Sequence, residues 1–383
     1  MLIRDLVAAM QQIAPLEYAE SWDKVGLLVG DRSASLRGPV VLTIDLNEAV
    51  LHEAVEMNCG AIVAYHPPIF EPLSKITDAT PRQRVILRAL QHNIAIYSPH
   101  TALDAIPAGV ADWLCEGLSG SKTPGKIAGD CRALAAHARV AGSQQVKIVT
   151  FLPAKDVEQV RNALATAGAG RIGAYQVCSF ATEGTGTFLG DDSTNPAVGN
   201  RNVLESVREV RLEMVASKSS LALALETLRK FHPYEAPAID VYELIAQPQR
   251  TVGAGRRLTL DKPTTVAELA LRLKAWVGRD QVRYALASGP TSEDKPVMHV
   301  GVVPGAGGEL SRLSREDGCD VFVTGEMKHH DVLGALNSGM SVILGGHTST
   351  ERGYLPRLRE RLEKLVDVPV AVSKTDRTPL VAV

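Results

Sequence analysis

The sequence predicts an α/β protein: a two-lobed α/β core with a ferredoxin-like α+β domain inserted between the lobes. Three observations predict this fold. Strand and helix patterns alternate in the first third of the chain, their order changes between residues 146 and 247, and the alternation returns after residue 250. A chain of 383 residues also exceeds what one hydrophobic core normally supports.

The first lobe is predicted over residues 1–125. The β-branched runs VVLTIDL, AIVAY and IAIYS alternate with helical periods that begin at Asn47 and near Pro81. This order is typical of a sheet that helices cover on both faces. The stretch SGSKTPGKIAG (119–129) breaks the pattern, so we place a boundary there.

The inserted module is predicted over residues 146–247, where two strand-helix-strand halves follow one another. After TVGAGRR (251–257) the runs MHVGVV, CDVFVTG and SVILGG again alternate with helices. The second lobe is therefore predicted over residues 250–383.

Composition excludes several classes of function. The net charge is −2 and no long basic run occurs, which disfavours a nucleic-acid partner. No apolar run reaches the length of a membrane span, and the first residues lack the features of a signal peptide. The five cysteines are scattered without a CxxC pair, which is typical of reduced thiols in a cytoplasmic protein. Any metal must then be bound by His and carboxylate side chains.

Four strongly apolar runs end in polar residues: His66, His100, Glu326 and His347. Ligands of open α/β sheets bind at the carboxyl ends of strands, so we expect these residues to face one crevice. Imidazole with carboxylate neighbours suits Zn, Fe or Mn. Asp104 and Glu351 each follow a strand-end histidine by four residues, which is one helical turn. The candidate metal ligands are therefore His66, Asp104, His347 and Glu351.

Other interpretations of these residues remain open. Thr348 to Glu351 fits a capping signature, in which Glu351 closes a helix amino terminus. His66 is also consistent with a hydrogen-bonded core histidine, and Asp104 with a carboxylate favoured by the helix dipole.

Weaker signals lie elsewhere. Residues 168–173 match GxGxxG but follow a helical stretch, so we interpret them as a helix end. Residues 303–308 follow a strand, where either an anion-binding turn or a plain tight turn fits. Lys328, His329 and His330 either line the crevice or form a solvated helix face, and we interpret Trp22-Asp23 as a structural turn.

Six segments of this sequence resemble the Nif-three-like family, often labelled GTP cyclohydrolase type 2 homologues, whose members carry a dinuclear metal centre. They are ESWDKVGLLVG (20–30), AYHPPIF (64–70), SPHTALDA (98–105), GAGRRL (253–258), VTGEMKHHDVLGA (323–335) and GGHTSTERGYL (345–355).

The resemblance implies that His66 and Asp104 hold one metal, that His347 holds the other, and that Glu351 bridges them. Many members have two adjacent histidines where this chain has Tyr65-His66, so one or two divalent cations per subunit are expected. We interpret His100 as a hydrogen-bond donor that orients the metal ligands, with simple packing as the alternative. The resemblance further implies that the insert is PII/CutA-like, with FHPYEAPAIDVYEL (231–244) as its closing segment, and that the protein is a homohexamer.

The expected function is that of a metal-dependent hydrolase. A metal-held water would become hydroxide and attack a small phosphoester or nucleotide-like substrate. The alternative is a non-catalytic metal-binding scaffold or adaptor protein.

Overall fold

The computed structural model describes residues 1–287 and 294–380, and the chain divides into two compact units. The first unit consists of Met1–His137 with Gln249–Val383, and the second of Ala138–Pro248. The chain is a mixed α/β protein with several sheets. In the described ranges, no helix has both the length and the apolar character needed to cross a bilayer.

The strands are β1 (Gly26–Val29), β2 (Val40–Thr43), β3 (Ala61–Ala64), β4 (Ala95–Ser98), β5 (Gly129–Arg139), β6 (Val146–Leu152), β7 (Phe180–Leu189), β8 (Leu204–Ala216), β9 (Ile239–Glu243), β10 (Gln247–Thr264), β11 (Arg283–Ala285), β12 (Val297–Val303), β13 (Val321–Thr324), β14 (Ser341–Leu344) and β15 (Val370–Val372). The α-helices are α1 (Ile3–Ile13), α2 (Glu48–Glu56), α3 (Pro81–Gln91), α4 (His100–Ala105), α5 (Val110–Ser119), α6 (Val157–Thr166), α7 (Leu221–Phe231), α8 (Val266–Trp276), α9 (Ser311–Glu316), α10 (His329–Asn337), α11 (Ser349–Arg352) and α12 (Leu355–Leu362).

The first unit contains two mixed sheets. One has the strand order β1-β4-β3-β2-β15, in which β15, β2, β3 and β4 run parallel. The other has the order β11-β14-β13-β12-β10-β5, in which β12, β13 and β14 run parallel. Every residue of β2, β3, β4 and β13 is buried, as expected for parallel strands covered on both faces.

Two helices of the first sheet begin where the sequence predicts. The Asn47 side chain accepts hydrogen bonds from the backbone N–H groups of Ala49 and Val50, both at 3.0 Å, and so caps α2. Thr80 caps α3 in the same way, and Pro81 occupies the first turn, where its missing N–H costs nothing.

The two sheets of the first unit share one hydrophobic core, which includes Leu42 and Val63 from one sheet and Val302 and Val323 from the other. Arg256 of β10 is 1% exposed beside this core. Its guanidinium pairs with Asp112 of α5 and donates to the carbonyl oxygens of Ala105 and Ile106 at 3.1 and 2.8 Å. This buried arginine therefore fixes the chain that directly follows Asp104.

The second unit contains an antiparallel sheet of order β7-β8-β6-β9. Both of its helices contribute to its core: Val160 of α6 and Leu228 of α7 cluster with Ile148 of β6 and Met214 of β8. Along the chain the elements follow the order strand, helix, strand, strand, helix, strand.

The residues TVGAGRR (251–257), after which the α/β pattern was predicted to resume, lie inside the 18-residue strand β10. Gly253 has φ +149°, and a Cβ at this position would lie 2.1 Å from the carbonyl oxygen of Ala135. Glycine is required at this position because another backbone approaches it closely. The GxGxxG match at 168–173 follows the end of α6, which confirms the predicted helix end.

Candidate metal centre

The predicted strand ends lie at the carboxyl edges of the two parallel strand groups in the first unit. His66 follows β3 by two residues, and His347 follows β14 by three. Their imidazole ring centroids are 5.3 Å apart. Residues separated by 281 positions in the sequence thus meet at one point, as expected for ligands at the carboxyl ends of parallel strands.

His66 is oriented by a carboxylate. Its Nδ1 lies 2.9 Å from Oδ1 of Asp45, the second residue after β2. Its Nε2 lies 3.6 Å from Oε2 of Glu351. Because the Nδ1–H is donated to Asp45, the Nε2 lone pair is the one available to a cation.

His347 has the same arrangement. Its Nδ1 lies 2.9 Å from Oε1 of Glu326, and its Nε2 lies 3.4 Å from Oε1 of Glu351. Each oxygen of the Glu351 carboxylate therefore faces the Nε2 of a different histidine.

Glu351 does not act as a helix cap. It lies on α11 and is 3% exposed, and the N-cap residue Thr348 makes no side-chain capping hydrogen bond. Its Oε2 is buried and has no hydrogen-bond partner among the described residues. A buried carboxylate oxygen left unpaired is costly, so the capping interpretation does not account for Glu351.

The backbone of Gly305 closes one side of the centre. Gly305 has φ +60°, and a Cβ there would lie 2.4 Å from Oε1 of Glu351 and 3.2 Å from Nε2 of His347. Only glycine allows the chain to pass this close to both side chains.

His66, His347 and Glu351 form a candidate metal-binding triad. One ligand atom from each lies within 4.8 Å of the others. The set of two imidazole nitrogens and one carboxylate suits Zn, Fe or Mn, and the unpaired Oε2 of Glu351 is available to a cation. The residues present therefore fit a divalent metal.

Asp104 is not part of this triad. It lies on α4 and is partly buried, and its Oδ1 accepts a hydrogen bond of 2.6 Å from the buried Tyr65 hydroxyl. Burial raises the pKa of Asp104, as does the charge of Glu351, while Tyr65 and His66 act in the opposite direction. Asp104 thus interacts electrostatically with both His66 and Glu351.

His100 lies beside the triad, with its ring centroid 5.4 Å from that of His66. Its Nδ1 lies 2.8 Å from Oδ1 of Asp23, and the second oxygen of Asp23 accepts hydrogen bonds from the N–H and hydroxyl of Thr101 at 3.1 and 2.5 Å. Burial acts to raise the pKa of Asp23, but the hydrogen bonds from His100 and Thr101 outweigh it and lower the pKa. His100 has φ +31°, an uncommon value that its fixed neighbours maintain.

Two functional candidates were missed by sequence reasoning, and one was left unassigned. Asp45 follows the apolar run of β2 much as His66 follows β3, and this shared position could have identified it. Glu326 was recognised as a strand end but given no role. Arg352 lies 3.8 Å from Asp45 and has no such signal, because its contacts depend on distant segments. Lys328, His329 and His330 are exposed at the start of α10.

Known proteins match this chain over nearly its whole length. A family model described as Duf34/NIF3 (NGG1p interacting factor 3) matches residues 1–379. A Bacillus subtilis protein named GTP cyclohydrolase 1 type 2 homolog is 34% identical over 380 residues, which cover 98% of this chain and 97% of that protein. The human protein named NIF3-like protein 1 is 32% identical over 388 residues, with 99% and 92% covered.

The crystal structure of a Staphylococcus aureus protein is similar in fold. It is 26% identical, has a TM-score of 0.74, and the similarity covers 100% of this chain and 99% of that one. Together with the family match over residues 1–379, these similarities establish that the chain belongs to the Duf34/NIF3 family.

Proposed function

We propose that this chain is a metal-dependent hydrolase that holds at least one divalent cation on His66, His347 and Glu351, with Asp104 as the fourth ligand. Zn, Fe and Mn are the expected metals. The expected substrate is a small phosphoester or a nucleotide-like molecule. GTP belongs in the substrate panel because the Bacillus subtilis relative bears the name GTP cyclohydrolase 1 type 2 homolog.

The observation that carries this proposal is the position of Glu351. Its two carboxylate oxygens face the Nε2 atoms of His66 and His347 at 3.6 and 3.4 Å, and its Oε2 has no hydrogen-bond partner among the described residues. A bound cation would satisfy this oxygen and both nitrogens together.

When bound, the metal would lower the pKa of a water molecule toward neutrality and polarise an oxygen of the substrate. The residues around the triad supply orientation and proton transfer. Asp45 and Glu326 hold the two imidazoles by their Nδ1 atoms. His100 is held at Nδ1 by Asp23, which leaves Nε2 to give or take a proton beside the ligands.

Replacing Glu351 tests the proposal. Glu351→Gln keeps the size of the side chain but removes the charge that both histidines face, so we expect metal content to fall by at least about tenfold, with loss of chelator-sensitive hydrolysis. Metal content is measured by elemental analysis of anaerobically purified protein, and hydrolysis on a panel of phosphoesters and GTP. Glu360→Gln, an exposed position on α12, is the matched control and should behave as the wild type.

Equal metal content and equal rates in the wild type and Glu351→Gln would overturn the proposal. If the metal content falls in Glu351→Gln but the wild type hydrolyses no substrate of the panel, the proposal of a metal site stands and the proposal of a hydrolase is rejected. Elemental analysis also gives the number of cations per subunit.

A second candidate function is that of a non-catalytic metal-binding scaffold or adaptor. One observation favours it: a cavity of about 640 Å³ lies within the second unit. It is lined by Phe151, Glu209, Arg211 and Tyr234, among others, and its volume is within the range of small-molecule sites. Tight metal retention without turnover, together with a ligand that stabilises the wild type but not Arg211→Ala, would favour this candidate.

Three further expectations belong to this proposal. The strand order β7-β8-β6-β9 and the order of elements along the chain support a ferredoxin-like, PII/CutA-like module inserted as residues 146–247 between core lobes 1–125 and 250–383. The resemblance to the family supports a homohexamer, which light scattering on the purified chain measures. The free cysteines support a cytoplasmic location.

A further inference from the structure

Arg352 lies between two carboxylates at the edge of the candidate metal centre. Its Nη2 is 3.8 Å from Oδ2 of Asp45, the residue that holds Nδ1 of His66. Both of these atoms are buried, and within the described residues neither has a hydrogen-bond partner. The positive charge of Arg352 therefore offsets the negative charge on Oδ2 of Asp45.

The second carboxylate is that of Asp376, which comes from the far end of the chain. Its Oδ2 lies 2.5 Å from Nη1 of Arg352, and its side chain is 1% exposed. Nη1 of Arg352 also donates to the backbone oxygen of Asp376 at 3.2 Å. A buried aspartate paired with one arginine in this way fixes the position of the guanidinium.

The same Oδ2 atom of Asp376 accepts a hydrogen bond of 2.6 Å from the backbone N–H of Ile44. Ile44 directly precedes Asp45, and its carbonyl oxygen accepts the backbone N–H of His66 at 3.1 Å. Asp376 thus contacts the segment that carries Asp45 both through the backbone and through Arg352. Arg352 in turn directly follows Glu351 in α11.

We propose that Asp376, Arg352 and Asp45, which we call the Arg352 bridge, position His66 for metal binding, so that a residue near the end of the chain sets the affinity of the centre. This inference rests on the metal site proposed above. Asp376 and Arg352 are positioning residues, because they act on the cation only through Asp45 and His66.

The bridge acts through charge and geometry together. The bridge holds Asp45 as a fixed carboxylate that accepts the Nδ1–H of His66, so that Nε2 faces Glu351. Without the negative charge of Asp376, the guanidinium of Arg352 is free to turn toward Asp45 and compete with His66 for it. The Nε2 atom then loses its fixed direction.

The test compares variants of the full chain by Zn²⁺ competition against a chromophoric chelator and by the absorption spectrum of the Co²⁺ form. Asp376→Asn keeps an oxygen for the Ile44 N–H but removes the charge, so we expect a 10- to 100-fold loss of Zn²⁺ affinity and a changed Co²⁺ spectrum. Asp367→Asn is the matched control. It makes the same kind of change, from a carboxylate to an amide, at an exposed position in the same part of the chain, and it should leave both readouts unchanged.

A double-mutant cycle separates the bridge from a general loss of structure. Since Asp376 acts through Asp45, Asp45→Asn with Asp376→Asn should bind Zn²⁺ within about twofold of Asp45→Asn alone. The melting temperatures of the metal-free proteins should show the same pattern, with the double variant losing less than the sum of the single losses. Additive losses in both measurements, or wild-type Zn²⁺ affinity in Asp376→Asn, would overturn the bridge.

A His66→Ala arm distinguishes the two proposals. If His66→Ala binds Zn²⁺ as well as the wild type, or if the wild type binds none, the proposed metal site fails. The melting temperatures of the metal-free variants then still decide whether Asp376 and Asp45 are coupled. If His66→Ala abolishes binding and Asp376→Asn does not weaken it, the metal site stands and the bridge fails.

Discussion

Negative charge is concentrated around two imidazoles at the candidate centre. Asp45, Glu326 and Glu351 all lie within 3.6 Å of a ring nitrogen of His66 or His347. Burial alone would lower the pKa of His66, but the hydrogen bond to Asp45 and the negative charge of Glu351 outweigh it and raise the pKa to about 10. In the absence of a cation, a proton on His66 therefore compensates part of the negative charge.

Metal binding should consequently release a proton. A cation needs the Nε2 lone pair, and below the raised pKa of about 10 that nitrogen carries hydrogen. We expect Zn²⁺ affinity to rise with pH by about tenfold per unit between pH 6 and pH 8, where the metal-free histidine remains protonated. Calorimetry in buffers of different ionisation enthalpy measures the number of protons released. A pH-independent affinity with no proton release would contradict this expectation.

At the scale of elements, the centre depends on short loops that join a strand to a helix. The turn after β12 carries Gly305, whose backbone N–H donates to the Thr350 hydroxyl at 3.0 Å. Gly325, which follows β13, is also confined, since a Cβ there would lie 2.6 Å from the carbonyl oxygen of Gly305. Both loops pack closely against His347 or Glu351, so these two ligands have little freedom to move.

Gly305→Ala tests this packing. The added methyl group would lie 2.4 Å from Oε1 of Glu351, and φ +60° is unfavourable for alanine. We expect a stability loss of about 1 kcal/mol and at least tenfold weaker Zn²⁺ binding. Gly334→Ala in α10 is the control. Apart from its chain neighbours and the backbone of its own helix, no heavy atom of the described residues lies within 4 Å of its Cβ position, and alanine should stabilise that helix slightly. Unchanged Zn²⁺ binding in Gly305→Ala would contradict this expectation, because it would show that the loop moves to accommodate the added methyl group.

Strand and helix alternation in the first unit could be predicted from the sequence, because buried parallel strands are continuous apolar runs and helices start at recognisable caps. Strands β5 and β10 could not be predicted in this way. The glycines of β10 are atypical of a strand, and the reason for Gly253 is the close approach of the Ala135 backbone, which only the fold reveals. His66 and His347 were predictable from their position at strand ends, and Glu351 from its spacing of four residues after His347. Arg352 and Asp376 were not, because their contacts join segments with no common pattern.

At the scale of the whole molecule, strand β15 joins the sheet formed by β1 to β4, which come from the first hundred residues. β15 pairs in parallel with β2, and the residues after it are held by Glu53 of α2. Glu53 accepts hydrogen bonds from the hydroxyls of Ser373 and Thr375 at 2.5 and 2.7 Å, and from the N–H groups of Lys374 and Thr375. Burial acts to raise the pKa of Glu53, but these hydrogen bonds outweigh it and lower the pKa to about 2.

Glu53 should make the free energy of unfolding depend on pH between about 2 and 4.5. Its pKa falls from 4.5 to about 2 on folding, so its contribution is complete above pH 4.5 and is lost as the pH drops toward 2. We expect Glu53→Gln to lose on the order of 1 kcal/mol at pH 7. The difference from the wild type should shrink to nothing near pH 2, as denaturant unfolding at several pH values measures. A difference that stays constant down to pH 2 would contradict this.

The hydrogen bond from the Ile44 N–H to Asp376 joins residues 332 positions apart. During synthesis, Asp45 and His66 emerge from the ribosome long before Arg352 and Asp376 are translated. A nascent chain can fold the early strands, but it cannot assemble the triad until much later, because His347 follows His66 by 281 positions. If the triad binds a cation, it can do so only after Glu351 has left the ribosome, and a truncation that removes Asp376 should weaken this binding although every residue of the triad remains.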